Sequence, residues 1–368
     1  MLSDNAIKTL ENQHYKVVGT HSAVKICGWT KKMIKGEGGC YKLKFYGIKS
    51  NQCLQMTTSM SCANRCIFCW RDYKAPVAKE WEWNTDEPEL ILKQSKEAQK
   101  KLLSGFGGCE YAQEKELQES KTIKHCALSL SGEPIIYPKL NEFIDLLHKD
   151  NISTFLVTNA QHPEQIKNLK PITQLYISLD GPTKEILKEI DNPLFKDYWE
   201  RLNQSLEYFS QKKQRTCIRL TLIKEMNMSH LKEYSELIKK GNPDFIELKG
   251  YMFVGSSRQR LSMKNMPYHE DTVNFTNAML KYLPDYDIVS EHISSRVILL
   301  AKKKYKKEGK WHTWIDFEKF NTLINSGKDF STEEFLAETP ETGLSGKGTK
   351  ENIKIDEKTD ELEFWQEN

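Results

Sequence analysis

The run "SMSCANRCIFCWRDY" (59–73) places Cys62, Cys66 and Cys69, three of the chain's nine cysteines, close together. Three thiolates spaced C-x3-C-x2-C leave a four-ligand metal centre one protein ligand short. Structural zinc is closed by four protein ligands, so zinc would need a further His or Cys. A cubane iron–sulfur cluster accounts better for the set, because Cys thiolates hold its irons and one iron can stay open to substrate. A second triad, Cys27, Cys40 and Cys53, recurs with twelve residues in each gap. It lies in a polar, Lys- and Gly-rich stretch where burial of the thiols as small hydrophobes is hard to sustain. These three read as ligands of a second cluster, whose open iron would take a chelating cosubstrate such as a 2-oxo acid. Cys109 stands alone, and Cys126 and Cys217 sit in apolar strand-like runs that suit plain packing.

The bulk properties set limits around this chemistry. A chain of 368 residues holds one large α/β domain or two ordinary ones. Its formal charge of +3 permits a nucleic-acid partner without demanding one. No apolar run reaches the roughly 18 residues of a membrane helix, and the N-terminus lacks a signal-peptide layout. A cytoplasmic protein with no membrane association is expected, in a reducing compartment where a disulfide framework does not form.

The elements that must position the thiols follow a strand-then-helix rhythm. Strand-like runs occur at 53–60, 125–130, 153–159, 174–180, 217–223 and 245–251. Helical patterns lie between them, among them 86–103, 140–150, 195–212 and 229–240. Six strands separated by helices predict an α/β fold with a parallel sheet, a partial (β/α)6 TIM-like barrel whose strand tips share one chemical face. The stretch 286–303 offers a further strand or two. Residues 104–122 read as an inserted loop, and the polar stretch from about 327 as a loose tail. The expected division is 1–52 as an extension carrying the second triad, 53–315 as the barrel, and 316–368 as a C-terminal tail.

The first triad after a first strand resembles the radical S-adenosylmethionine (SAM) superfamily, as does Phe68 just before Cys69. "SLSGEP" (129–134) resembles that superfamily's glycine-and-acid motif. The resemblance implies that Gly132 and Glu133 hold the SAM amino group. It also places ribose and carboxylate contacts at the following strand tips: Asn159, Ser178, Asp180 and, if it faces inward, Arg219. From residue type alone each also suits a turn or cap. C-x12-C-x12-C followed by "MTTSMSCANRCIFCWRDY", with "LVTNAQ", "YISLDGP" and "IELKGYMFVGSSRQRLSMKNMPYHE", is similar to the stand-alone, archaeal-type tRNA 4-demethylwyosine synthases over about residues 20–315.

That resemblance implies two [4Fe-4S] clusters, SAM, and pyruvate as a two-carbon donor. The implied substrate is N1-methylguanosine next to the anticodon of tRNA(Phe). Residues 1–20 are too few for a flavodoxin-like domain, so an external electron donor such as ferredoxin or flavodoxin is expected, with the protein a monomer. Lys42, Lys44 and Lys49 are candidates for a Schiff base with pyruvate. A splayed anticodon-loop base would call for aromatic platforms and basic contacts. Trp70, Arg71, Tyr73, Lys74, Trp81 and Trp83, then Arg258, Arg260 and Lys264, and the lysine run with Trp311 and Trp314, are the candidates. A different two-cluster radical SAM enzyme, or a non-enzymatic zinc or iron–sulfur RNA-binding module, would share parts of this pattern.

Overall fold

A short hairpin of β1 (Lys16–Val18) and β2 (Ser22–Val24) leads through two brief helices into β3 (Cys53–Thr57). Five more strands follow in register beside it: β4 (His125–Leu128), β5 (Ser153–Thr158), β6 (Gln174–Ser178), β7 (Arg215–Leu222) and β8 (Phe245–Gly250). These six are parallel, each covered by a helix on its outer face, which is why they read as nearly continuous apolar runs. An antiparallel pair, β9 (Tyr286–His292) and β10 (Val297–Lys302), extends β8. The ten-stranded sheet runs β1-β2-β3-β4-β5-β6-β7-β8-β10-β9, so β1 and β9 are edges and the barrel does not close. The computed structural model describes residues 4–72 and 75–346 and the short strands Ile355–Asp356 and Glu361–Leu362. The mixed α/β fold with six parallel strands is the one expected from the sequence, and residues 286–302 supply two antiparallel strands.

Packing on the outer face follows helical periodicity. The helix Leu140–Lys149 buries Leu140, Phe143, Ile144 and Leu147 along one stripe against the sheet. The inner face is filled differently. Phe155, Tyr176, Cys217 and Phe245 point inward from the bottoms of the strands and meet an aromatic plug. Phe45 and Tyr46 come from the N-terminal side of the chain. Tyr305, Trp311, Phe320, Phe330 and Phe335 come from the C-terminal side. The barrel floor is thus supplied by both ends of the chain, and its upper half stays open.

Two sequence expectations are corrected. Residues 104–122 are not a plain loop: helix Glu114–Ser120 packs beside the second triad's segment, with Gln113 N–H donating to Ile34 O at 2.8 Å and Asn51 Nδ2 to Glu116 O at 2.9 Å. Residues 327–346 do not hang loose either. Phe330 and Phe335 are buried, Leu336–Ala337 pairs with Trp314–Ile315, and Gly343 N–H donates to Val289 O on the edge strand. A few apolar anchors in a polar stretch suffice to dock it.

Candidate active site

All six parallel strands point their C-terminal ends the same way, so each motif after a strand lands on one rim. The first triad lies in the loop after β3. Its backbone is clamped from the side by the C-terminal end of helix Lys184–Asp191, where Arg65 N–H donates to Asp191 O at 2.9 Å and Ile67 N–H to Ile190 O at 2.8 Å. From above it is held by the loop after β8: Ser256 N–H donates to Trp70 O at 2.9 Å, and Arg260 donates through Nε to Ile67 O at 2.9 Å and through Nη2 to Cys69 O. This approach is close enough that a Cβ at Gly255, whose φ is +57°, would lie 2.5 Å from Trp70 O. Arg71 braces the loop from within, donating to Met60 O at 3.0 Å, and its charge faces all three thiols.

The β4 tip closes the other side. Gly132 has φ +70°, and a Cβ there would overlap the Ser59 carbonyl and lie 2.9 Å from Met60 Cα. Only glycine lets "SGEP" approach the cysteine loop so tightly. Glu133 N–H donates to Ser61 O at 2.7 Å, and its carboxylate accepts from Asn159 N–H at 2.9 Å. The other carboxylate oxygen, Oε1, is buried without a partner, and burial pushes the group up to about 7. Such a half-satisfied carboxyl fits an ammonium group. Asn159 Nδ2 also donates to Cys62 Sγ at 3.4 Å. Ser178 ends β6, while Asp180 is buried and accepts from Thr221 N–H at 3.3 Å.

The second triad reaches the barrel interior from the N-terminal side, at the level of the strand starts rather than of the rim. Cys27 and Cys40 each precede a short helix, Gly28–Ile34 and Tyr41–Tyr46, and Cys53 opens β3. All three line one cavity of about 1040 Å³ inside the barrel. Phe68 and Trp70, which flank Cys69, line it too, so the cavity reaches the first loop. Its cationic lining is Lys25, Lys42, Arg219, Lys249 and Arg258, and no Asp or Glu among the described residues lines it.

The donor chemistry fits clusters. Burial pushes the thiols of Cys40 and Cys62 to about 11 and that of Cys53 to about 12, and the thiols within each triad reinforce the rise. They become thiolates only against a strong positive charge such as bound metal. Among the described residues no three His, Cys, Asp or Glu side chains converge on a single metal ion. Thiolates that share a polynuclear cluster need not meet at one point.

Comparison with known proteins now decides the family. The profile described as "Radical SAM superfamily" matches residues 56–238, and the one described as "Wyosine base formation" matches residues 240–302. Curated S-adenosyl-L-methionine-dependent tRNA 4-demethylwyosine synthases are similar: TYW1 of Pongo abelii is 47% identical over 353 residues, and the Arabidopsis thaliana enzyme 48% over 341. These alignments take in 94% and 92% of this chain, and 48% and 53% of the relatives; the chain spans about half the length of the curated relatives it matches. A solved TYW1 structure with a lysine–pyruvate adduct bound is 36% identical with a TM-score of 0.75, covering 83% of this chain and 97% of that one. An archaeal TYW1 crystal structure is 32% identical with a TM-score of 0.68, over 84% and 99%. The chain belongs to the TYW1 family.

Within the TYW1 frame the basic and aromatic candidates separate. Arg71 and Arg260 hydrogen-bond the cysteine loop, whereas Arg258 lines the cavity and Lys264 is exposed on the same connection after β8. Trp70 stacks on Tyr15 at 5.9 Å, with Lys25 over both rings. Trp83 donates to Ser61 Oγ, and Trp81 packs on His21 and Tyr137. Trp311 is buried in the barrel floor, and Trp314 donates to Lys44 O at 2.9 Å. In the lysine run, Lys304 and Lys310 pair with Glu333 and Glu338. Tyr73 and Lys74 lie outside the described residues.

The three lysine candidates separate as well. Lys44 faces Glu341 at 3.7 Å and Lys49 pairs with Glu119 at 2.9 Å, whereas Lys42 enters the cavity and stands over the Tyr176 ring at 5.1 Å. Sequence reading missed Lys249, whose amine donates to Ser295 O at 3.2 Å and is pushed down to about 8 by burial. It also missed Glu247, fully buried behind Arg219. Both sit in "FIELKGY", where a glutamate and a lysine two apart in an apolar strand must share a face. No helix among the described residues is long and apolar enough to cross a membrane.

Proposed function

We propose that this chain forms 4-demethylwyosine from N1-methylguanosine next to the anticodon of tRNA(Phe), using SAM and pyruvate. The observation that carries the reading is the single cavity that joins the second cysteine triad, Lys42 and the flank of the first triad's loop. Cys62, Cys66 and Cys69 would hold one [4Fe-4S] cluster and Cys27, Cys40 and Cys53 the other. When bound, these groups and SAM supply the electron and the hydrogen-abstracting radical, with a ferredoxin- or flavodoxin-type carrier as the source of electrons. Family membership supports the iron–sulfur chemistry.

The residues divide the remaining work. Glu133 and Gly132 receive the SAM amino group, with Asn159, Ser178 and Asp180 along the rim. Of the three lysines in the cavity lining, Lys25, Lys42 and Lys249, we assign the pyruvate to Lys42, beside Cys40: its amine attacks the carbonyl carbon, a C–N bond forms, and the carbonyl oxygen leaves as water. The solved TYW1 structure with a lysine–pyruvate adduct supports that step. Arg258 in the cavity lining and Lys264, exposed on the same connection, would meet phosphates, while Arg71 and Arg260 keep the cysteine loop in place. Trp70 serves as the platform at the cavity wall, braced by Tyr15. We take 1–52 as the segment delivering the second triad and 53–315 as the catalytic barrel, with residues beyond 315 completing its floor.

The test is anaerobic reconstitution, then incubation with SAM, pyruvate, a reductant and tRNA carrying N1-methylguanosine, with digestion and mass spectrometry of the nucleosides. The tricyclic product is expected, with about eight irons per chain. About four irons and unchanged methylguanosine would overturn the reading.

A further inference from the structure

Arg219 was expected, from sequence, beside the SAM carboxylate. Its surroundings differ from that expectation. Its Nε donates to Glu247 at 2.9 Å, and the two residues are register neighbours on β7 and β8. The same carboxylate accepts from Tyr41 Oη at 3.0 Å and Tyr46 Oη at 2.9 Å. Glu247 is wholly buried, so the ion pair and both tyrosines form a fixed bracket behind the guanidinium. The bracket joins the barrel to the segment that carries Cys40, because Tyr41 follows that cysteine directly.

The other side of the guanidinium is uncommitted. Arg219 Nη2 is buried with no hydrogen-bond partner. The side chain is 16% exposed and lines the cavity. Its carbon centre lies 4.9 Å from the Tyr176 ring, the ring over which Lys42 stands at 5.1 Å. Among the described residues no carboxylate lines the cavity to satisfy it. A guanidinium in the wall of a cationic cavity, partly exposed there and with one donor of its fork left unpaired by the protein, fits a ligand carboxylate.

We propose that Arg219 is the specificity-determining residue that binds the carboxylate of the 2-oxo acid whose carbonyl Lys42 captures. The inference rests on the pyruvate reading of the cavity and goes beyond it by naming the group that selects an acid over a neutral ketone. Arg219 is oriented by Glu247, which reaches the substrate only through it. The ammonium side of SAM remains with Glu133, at the β4 tip.

The experiment uses cluster-reconstituted protein with borohydride trapping of the imine, read as the mass added to the peptide carrying Lys42. No tRNA turnover is needed. Wild type should trap pyruvate at far lower concentration than its neutral amide, pyruvamide. In Arg219→Gln the half-saturating pyruvate concentration should rise about 10- to 100-fold, the loss expected for one charge-assisted contact, and the preference over pyruvamide should collapse. Arg219→Lys keeps a cation beside Glu247 and should fall between, which decides the matter if the Gln variant does not fold. Unchanged half-saturation and unchanged preference in Arg219→Lys and Arg219→Gln would overturn the proposal. Calorimetric titration of Lys42→Arg, which cannot form the imine, separates the two ideas. Pyruvate binding there that vanishes in Lys42→Arg/Arg219→Gln supports the anchor even if wild type traps nothing. Binding that survives in the double variant refutes it.

Discussion

The approach of the β4 tip to the cysteine loop gives a quantity that can be worked out residue by residue. In Gly132→Ala two costs add. The first is the left-handed backbone, about 1–2 kcal/mol for a residue with a Cβ. The second is steric: the new methyl overlaps the Ser59 carbonyl, which belongs to the backbone and cannot rotate away. The tip must withdraw, breaking the 2.7 Å bond from Glu133 N–H to Ser61 O and leaving buried groups unpaired, worth about 1–3 kcal/mol. Gly309 supplies the control, because its φ is +81° and a Cβ there meets nothing within 4 Å. Gly309→Ala should therefore show the backbone cost alone. The assay is thermal unfolding at one scan rate under anaerobic conditions, with cluster absorbance per chain beside it. At about 1–2 °C per kcal/mol for a chain of this length, Gly132→Ala should melt about 1–4 °C below Gly309→Ala and retain less first-triad iron. If the two variants melt together with equal cluster content, the claim that glycine is needed for this approach is wrong.

Other outcomes follow from the same geometry. Arg260→Ala should leave the fold intact but loosen the Cys69 end of its loop, seen as faster loss of iron to a chelator than in Lys264→Ala, whose side chain is exposed. Cys27→Ala should lower iron from about eight to about four per chain while the SAM-binding rim is kept, measured by iron analysis and SAM titration. His148, bonded to Thr154 Oγ1 at 2.9 Å, has its ring held neutral by burial, with its pKa lowered from 6.5 to about 4. The unfolded chain then binds the extra proton first, so stability is full above pH 6.5 and is lost as pH falls toward 4. The slope is about 1.4 kcal/mol per pH unit for this one group. Denaturant midpoints between pH 7 and 4 should fall less steeply in His148→Gln.

The barrel was legible because its signals are local: six apolar runs, amphipathic helices such as Leu140–Lys149, and motifs placed after strands. Cys62, Cys66 and Cys69 could be grouped for the same reason, by spacing alone, and the structure sets them in one loop after β3. What a cationic or aromatic side chain touches is not local. Arg260 reaches back to Ile67 across the whole chain order, and Trp311 turns into the floor rather than outward. From residue type and neighbourhood alone both stood as candidates for RNA contact. Cys126 and Cys217 were placed correctly as buried packing, since a single thiol in an apolar strand has no chemistry to share. Helix Glu114–Ser120 was missed because its composition is almost wholly polar and little periodicity marks its buried side.

The plugged floor has a consequence for how this chain must be built. The six parallel strands can pair in order as the chain emerges, but their inner face has no lid at the bottom until residues near Phe320, Phe330 and Phe335 arrive. Those contacts join the two ends of the sequence and are slow to find. Removing the chain from Phe317 onward should therefore do more than trim a tail. It should expose Phe45, Tyr46 and Phe245 and let the segment of Cys40 drift, visible as dye binding and loss of second-triad iron while the strands remain. The cavity lined by the second triad is in this sense the last part of the molecule to become solid, and the part that a late truncation reaches first.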